Sequence, residues 1–413
     1  MDRRVVVTGL GVVSPIGNDV NTFWEGLIGG KVGIGPITKF DTSEYMVKIG
    51  AEVKAFDAAK YMEKTDLRKT DINVHYAMGA AAQAVEDSKI EGNFRPERAG
   101  VYFGSGIGGI TTFENVYDKF VKRGPRMVSP YFIPMIIPDM AAGTLAIKYG
   151  MRGPALPSVS ACASGTNALG EAYRAIRHGY ADVMITGGTE AAITRSGVAG
   201  FINMQALNVT DDVKRASLPF HPDRGGFVIG EGAGALILEE YEHAVNRGAK
   251  IYAEVTGYGS TCDAYHMTAP DPEAKGASEA IRAAYEGSGC PEASKIYVNA
   301  HGTGTPLNDK SETLAFKKVF GDKAYDLKIS STKSMTGHML GGAGAVEAVA
   351  SIMAIDTGVI PPTVGLDAKD PDCDLDYTPL TARESDVEYG ISTSLGFGGH
   401  NACVAFKKGN IQI

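Results

Sequence analysis

A chain of 413 residues is long enough for two or three domains. With 44% hydrophobic and 21% charged residues it is neither disordered nor fibrous, and a net charge of −8 leaves no basic surplus for general nucleic-acid binding. Glycine is the outlier: 52 residues, clustered in short runs beside polar side chains, suit an enzyme whose site is built from loops that approach a ligand closely.

The N-terminus, Met-Asp-Arg-Arg, runs straight into a β-branched stretch, with no apolar export segment or cleavage site. The longest charge-free run, Gly153 to Gly170, is too rich in Pro, Ser, Thr and Gly to span a membrane. Five cysteines, odd in number and without a Cys-x-x-Cys pair, argue against a disulfide framework or a zinc ribbon. A reducing cytoplasm is the expected location.

In chain order, strands are predicted at Arg4–Thr8, Ala99–Gly104, Ala181–Thr186, Gly234–Glu239, Tyr252–Gly257, Ile296–Ala300, Lys328–Ser331 and Ala402–Lys407. Helices are predicted at His75–Asp87 and Leu169–Arg177, the second with Leu169, Ala172, Tyr173 and Ile176 on one face. Alternating strands and helices indicate an α/β protein on largely parallel sheets. One echo suggests a duplication: Val5-Val-Val-Thr-Gly-Leu-Gly returns as Ala253-Glu-Val-Thr-Gly-Tyr-Gly. The expected division is residues 1–250, carrying a reactive cysteine, and 251–413, carrying two histidines.

Two glycine strings resemble a dinucleotide loop. Gly9-x-Gly11 lacks the third glycine, and Gly104-Ser-Gly-Ile-Gly-Gly109 lacks a ribose-binding acid after a second strand, so nicotinamide chemistry is set aside. Cys162 has a stronger setting. Ser158-Val-Ser-Ala precedes it as a predicted strand and Ala163-Ser-Gly-Thr-Asn begins a helix of small residues. A helix N-terminus beneath a thiol lowers its pKa and supplies N–H groups for an oxyanion. His301 opens His-Gly-Thr-Gly-Thr-Pro directly after a strand, and His338 lies in Lys333-Ser-Met-Thr-Gly-His. Strand carboxyl ends are where open α/β sheets place ligands. His400 occupies a further glycine turn. A zinc site made of Cys162, His301 and His338 is disfavoured, because the three lack the close spacings of zinc motifs.

Six strings together resemble one family over nearly the whole chain: Val5-Val-Val-Thr-Gly-Leu-Gly-Val-Val-Ser-Pro-Ile-Gly, Ser-Ala-Cys162-Ala-Ser-Gly, Pro222-Asp-Arg-Gly-Gly-Phe-Val-Ile-Gly-Glu-Gly-Ala-Gly, His301-Gly-Thr-Gly-Thr-Pro, Lys333-Ser-Met-Thr-Gly-His and Gly396-Phe-Gly-Gly-His-Asn. The chain resembles the β-ketoacyl-[acyl carrier protein] synthases of the thiolase superfamily, and within them the elongating bacterial type II branch. The resemblance implies a five-layered α-β-α-β-α fold of two similar halves, each with a five-stranded mixed sheet, and a homodimer.

It also implies a decarboxylative Claisen condensation without a metal or other cofactor. Cys162 is then the nucleophile, His301 and His338 the donors to the enolate, and the N–H groups of Cys162 and Phe397 the oxyanion pocket. Lys333 organises the site, with Glu312 as its expected ion partner. Ile107 and Phe201 line or gate the acyl pocket, Ile107 matching the type II branch. Thr268, Thr303 and Thr305 meet the pantetheine arm that carries the substrates. Arg68, Lys69 and Arg126 dock an acidic acyl carrier protein, while Met127 and Gln205 stand where relatives often carry more basic residues. A thiolase would need a second cysteine where this chain has Phe397. An initiating synthase would carry Asn at position 338, and a non-catalytic chain-length partner would lack Cys162. No nucleic-acid or membrane partner is implied.

Overall fold

A computed structural model describes residues 3–409. Ten strands form one sheet: β1 (Val5–Val13), β2 (Ala99–Gly104), β3 (Ala155–Ser158), β4 (Val183–Glu190), β5 (Gly232–Glu240), β6 (Ala253–Cys262), β7 (Ile296–Asn299), β8 (Lys328–Ser330), β9 (Tyr389–Gly396) and β10 (His400–Lys408). Their order is β8-β7-β9-β10-β6-β1-β5-β4-β2-β3. Numbered within its own half, each set of five runs third-second-fourth-fifth-first from its outer edge. Each has two parallel pairings at that edge and two antiparallel pairings inward. The halves meet where β1 pairs antiparallel with β6, Val5 opposite Val255 and Val7 opposite Ala253.

Six helices matter for the site: α1 (Ile72–Ser88), α2 (Ile110–Arg123), α3 (Ser164–Arg177), α4 (Lys275–Gly287), α5 (Pro306–Phe320) and α6 (Ala343–Thr357). Three apolar clusters separate them into layers. The central cluster joins α3, through Leu169, Ala172, Tyr173 and Ile176, to α6, through Val346, Val349 and Ile352, with strand residues of both halves. One outer cluster packs α1 on the first half of the sheet, and the other packs α4 and α5 on the second. The result is the five-layered α/β fold.

The segment Leu340–Thr357 is apolar and long enough to cross a membrane, yet 83% of it is buried inside the fold. It contains α6, in which only Met353, Asp356 and Thr357 escape full burial. An all-round apolar helix of this length is what a sandwich between two sheets requires.

The sequence echo has a packing cause. A Cβ added to Gly9 or Gly11 of β1 would sit 2.1 or 1.9 Å from the Ala84 or Ala80 carbonyl of α1. At Gly257 and Gly259 of β6 it would sit 2.0 Å from the Ala284 or Ala280 carbonyl of α4. The repeated glycines let each outer helix lie directly on its strand.

All eight predicted strands are found, one with unchanged ends (Ala99–Gly104), two a residue shorter (Ile296–Asn299 and Lys328–Ser330) and five extended at one or both ends, and two strands of the sheet were missed. β9, Tyr-Gly-Ile-Ser-Thr-Ser-Leu-Gly, is a central strand whose Ser392, Thr393 and Ser394 are buried, so the apolar signal is absent. β3 is an exposed edge containing Pro157, and it ends at Ser158, so Val159–Ala161 form the turn before Cys162 instead of a strand.

Gly11→Ala and Gly259→Ala, at equivalent positions of the two halves, should each destabilise the fold by about 2 kcal/mol or more, because the obstructing atoms are backbone. Comparable falls in the urea unfolding midpoint are expected; an unchanged midpoint for either would contradict the packing.

Candidate active site

The nucleophile turn begins with Ala161 at φ +51°, a left-handed backbone that costs a residue with a side chain about 1–2 kcal/mol. It is held by local hydrogen bonds. Ser160 N–H donates to Ser164 Oγ at 2.9 Å, Ser164 Oγ–H to the Ala161 carbonyl at 2.7 Å, and Ala163 N–H to the Ser160 carbonyl at 3.0 Å. One tight turn, Ala161–Ala163, then leads into α3 and leaves Cys162 at its start, 7% exposed.

The β9–β10 hairpin closes over this turn. Gly398 and Gly399 have φ of +84° and +75°, and a Cβ on Gly396 would lie 2.8 Å from the Ser160 carbonyl. The backbone N–H groups of Phe397 and of Cys162 itself both act on the sulfur in the direction that favours a thiolate. They are the pair expected to face an oxyanion.

The thiol departs from the sequence expectation. Burial pushes Cys162 up to about 12, and the Glu190 carboxylate adds to the rise. The Lys333 charge and the two N–H donors pull the other way without overcoming it. Desolvation of a thiolate outweighs the helix terminus here, so the resting side chain is a neutral thiol.

His301 follows β7 and is 2% exposed. Its position is set by Glu312 of α5, whose carboxylate accepts from His301 N–H at 2.7 Å, Gly302 N–H at 2.8 Å and Thr393 Oγ–H at 2.6 Å. Burial pushes Glu312 up to about 7 against these three donors. Glu312 is therefore not the partner of Lys333. That partner is Glu347 of α6, and the two form a buried ion pair, 1% and 3% exposed. The spacing from His301 had suggested Glu312, but its carboxylate is fully engaged by the His301 loop.

His338 is held by backbone, in an isolated parallel bridge to Ile229. Its N–H donates to the Val228 carbonyl at 2.7 Å, and its carbonyl accepts from Gly230 N–H at 2.8 Å. The Phe227 ring meets the imidazole edge-on at 5.1 Å, and His301 and His338 lie 5.2 Å apart at 85°. Burial, with the Lys333 charge, holds both imidazoles well below the usual histidine range, and His338 adds to the effect on His301. Both are neutral, each able to donate one N–H. Neither Nδ1 has a hydrogen-bond partner among the described residues.

Cys162, His301, His338 and Phe397 line one cleft of about 370 Å³, together with Thr268, Thr303 and Thr305. Thr303 and Thr305 share a hydrogen bond of 2.9 Å along its wall. Other predicted residues lie outside this lining. Phe201 packs edge-on against Phe227, at 5.4 Å, and so touches the site at second remove. Ile107 is 37% exposed, with its backbone N–H on Glu190 at 3.2 Å, and is not among the residues that line this cleft. Arg68, Lys69 and Arg126 are exposed, Lys69 lying 5.4 Å above the Tyr131 ring. Phe227 and Asn401 line the cleft without having been assigned a role, although both sit inside the quoted strings. Glu347 and Glu190 had no signal, since each looks like an ordinary acid in an apolar stretch. Among the described residues no group of three or more His, Cys, Asp or Glu is placed to hold a metal ion.

A thiol at a helix start, with two neutral imidazoles supplied by the other half of a duplicated α/β fold, defines a thiolase-like condensing acyltransferase. The chain belongs to the β-ketoacyl synthase family: the N-terminal domain of that family matches residues 2–244 and the C-terminal domain residues 252–367. It is 50% identical over 408 residues to a 3-oxoacyl-[acyl-carrier-protein] synthase 2 of Synechocystis, covering 98% of both chains. To the Staphylococcus aureus protein of the same name it is 49% identical, covering 98% of this chain and 99% of that one. Among solved structures it superposes on the ishigamide ketosynthase/chain length factor (TM-score 0.92, 36% identity, 99% and 100% coverage). It also superposes on a type II polyketide ketosynthase, bound to a hexaketide, in complex with its acyl-carrier protein (TM-score 0.91, 33% identity, 99% and 100% coverage).

A thiol held near 12 has a thiolate fraction that grows about tenfold per pH unit through neutrality. Alkylation of Cys162 by iodoacetamide, read on its peptide by mass spectrometry, should therefore keep rising from about pH 7 to pH 9. A plateau beginning near pH 7 would show a thiolate already formed.

Proposed function

We propose that this protein elongates acyl chains by two carbons, condensing an acyl-Cys162 thioester with malonyl-[acyl carrier protein] to give 3-oxoacyl-[acyl carrier protein]. The observation that carries the reading is the single cleft in which a buried thiol faces two imidazoles held neutral. In the first half-reaction the Cys162 sulfur attacks the acyl thioester. The carrier's C–S bond breaks, and the thiol proton leaves with the carrier thiol. The tetrahedral oxyanion lies against the N–H groups of Cys162 and Phe397.

In the second half-reaction the malonyl carboxylate leaves as CO₂, and its bonding electrons remain as an enolate on the thioester. His301 and His338 donate N–H bonds to the enolate oxygen, a stabilisation that works best from preorganised donors in a dry site. Neutral imidazoles do this without giving up a proton to a passing base. The new C–C bond forms as the acyl C–S bond to Cys162 breaks, and one proton from solvent restores the thiol. Thr268, Thr303 and Thr305 line the path of the pantetheine arm, so the chemistry is assigned to this chain's own groups, without a metal or other cofactor. The acyl chain runs into the apolar cluster around Cys162, against which Phe201 and Ile110 pack; Ile107, beside Ile110, is assigned to the same acyl route.

Arg68, Lys69 and Arg126, with Lys122 and Arg123 nearby, supply the exposed positive charge that an acidic carrier protein needs on a chain of net charge −8. A homodimer is supported by the open edge at β3, where Leu156 and Val159 are each 55% exposed, and by the exposed Phe113, Tyr117 and Ile133 on and near α2. An uncovered edge strand beside exposed apolar side chains invites a second copy. Five free thiols fit a reducing cytoplasm.

Cys162→Ala should abolish the acyl-enzyme adduct and condensation while leaving malonyl decarboxylation. His301→Ala and His338→Ala should each slow decarboxylation by about 10²–10³. The double substitution should be less than multiplicative, because both serve one oxygen. Intact-mass measurement with acyl-carrier protein and CO₂ release check the set; condensation surviving in Cys162→Ala would overturn the proposal.

A further inference from the structure

The glycine string Gly104-Ser-Gly-Ile-Gly-Gly109, set aside as a nucleotide loop, wraps a carboxylate of the chain itself. Glu190 ends β4, is fully buried, and accepts four hydrogen bonds. Three come from the first half: Ser105 Oγ–H at 2.9 Å, Gly106 N–H at 2.8 Å and Ile107 N–H at 3.2 Å. The fourth is Gly341 N–H at 3.0 Å, from the second half, three residues after His338. Ser105 Oγ in turn accepts from Gly108 N–H at 3.0 Å.

Backbone meets backbone around this carboxylate. A Cβ on Gly341 would lie 2.3 Å from Gly106 N and 2.9 Å from Glu190 Oε2, and one on Gly188 would lie 2.4 Å from the Gly341 carbonyl. A Cβ on Gly106 would reach both Glu190 Oε2, at 2.9 Å, and the Ala161 carbonyl beside the nucleophile, at 3.3 Å. The charged groups that act on Cys162 are Lys333 and Glu190, while His301 and His338 in the same cleft are neutral.

We propose that Glu190 is a positioning residue for condensation: one carboxylate fixes both the loop against the Cys162 turn and the Gly341 turn that carries His338, and so sets the two halves of the site relative to each other. Burial pushes Glu190 up to about 6, against its four donors, so it is an ionised acceptor at neutral pH. An amide cannot replace it. Glutamine would turn an NH₂ toward N–H groups that need acceptors, and buried donors left unpaired force their segments apart.

The inference rests on the condensing reading of the cleft, and the test separates the two. Malonyl decarboxylation is compared in Cys162→Ala and in Cys162→Ala/Glu190→Gln, with the urea midpoint of each to confirm folding. The histidines alone carry this reaction, so Glu190 can affect it only by placing them. A fall in kcat of about tenfold or more, with KM for malonyl-carrier protein changed less than threefold, is expected. Ser105→Ala, which keeps the carboxylate but loses the hydroxyl bridge to Gly108, is the milder variant should Glu190→Gln not fold; a fall of about threefold is expected on the same background. Decarboxylation within twofold of Cys162→Ala in the folded variant would overturn the role of Glu190. Absence of decarboxylation in Cys162→Ala itself would overturn the condensing reading, and this inference with it.

Discussion

The buried charge of Lys333 governs the electrostatics of the site. At 1% exposure, paired with Glu347 on the central helix α6, it stands where an unpaired ammonium would be prohibitively costly. Its field reaches every reacting group. It adds to the burial that keeps His301 and His338 from taking a proton, and it opposes the rise that burial imposes on Cys162. A single cation thus serves two opposite needs, favouring a thiolate and disfavouring an imidazolium. The thiol remains neutral at rest because desolvation is the larger effect, so its deprotonation belongs to the acyl-transfer step. That division suits a cysteine that must resist stray alkylation and oxidation between substrates.

Duplication explains how so many buried polar groups converge. The antiparallel seam between β1 and β6 makes the ten strands continuous, and α3 and α6 lie side by side in the layer between the sheet halves. The thiol enters at the start of α3, and His338 stands just before α6. Each catalytic group is therefore anchored to a core helix or a strand end, not to a free loop. Where turns of the two halves touch, side chains are absent: Gly106, Gly188, Gly341 and Gly396 allow contacts that a single Cβ would prevent. Part of the chain's high glycine content serves this join between two halves at a reacting centre.

Much of this was legible in the sequence. Strand–turn–helix patterning located Cys162, and strand ends followed by glycine located His301 and His338, because local backbone requirements leave local signatures. The repeated Val-Thr-Gly-x-Gly disclosed the duplication, since its glycines answer to helix packing in both halves. Long-range electrostatics left no such trace. The partner of Lys333 is Glu347, in an apolar helix fourteen residues on, and Glu312 was mistaken for it; only the fold shows that Glu312 is occupied by His301. The thiol was expected to be acidic because a helix start is visible in sequence, whereas the burial that outweighs it is not. β9 was missed because its buried face is built of Ser and Thr that hydrogen-bond to α3 and Glu312.

The neutrality of the two imidazoles beside a buried cation is what the enolate chemistry depends on. It is tested most directly by nitrogen NMR of the histidine side chains, with His301 and His338 assigned through their single glutamine variants. Both should keep the shifts of neutral tautomers from about pH 8 down to about pH 5.5, a full unit below the ordinary histidine midpoint. Titration of either ring with a midpoint near that ordinary value would contradict the account.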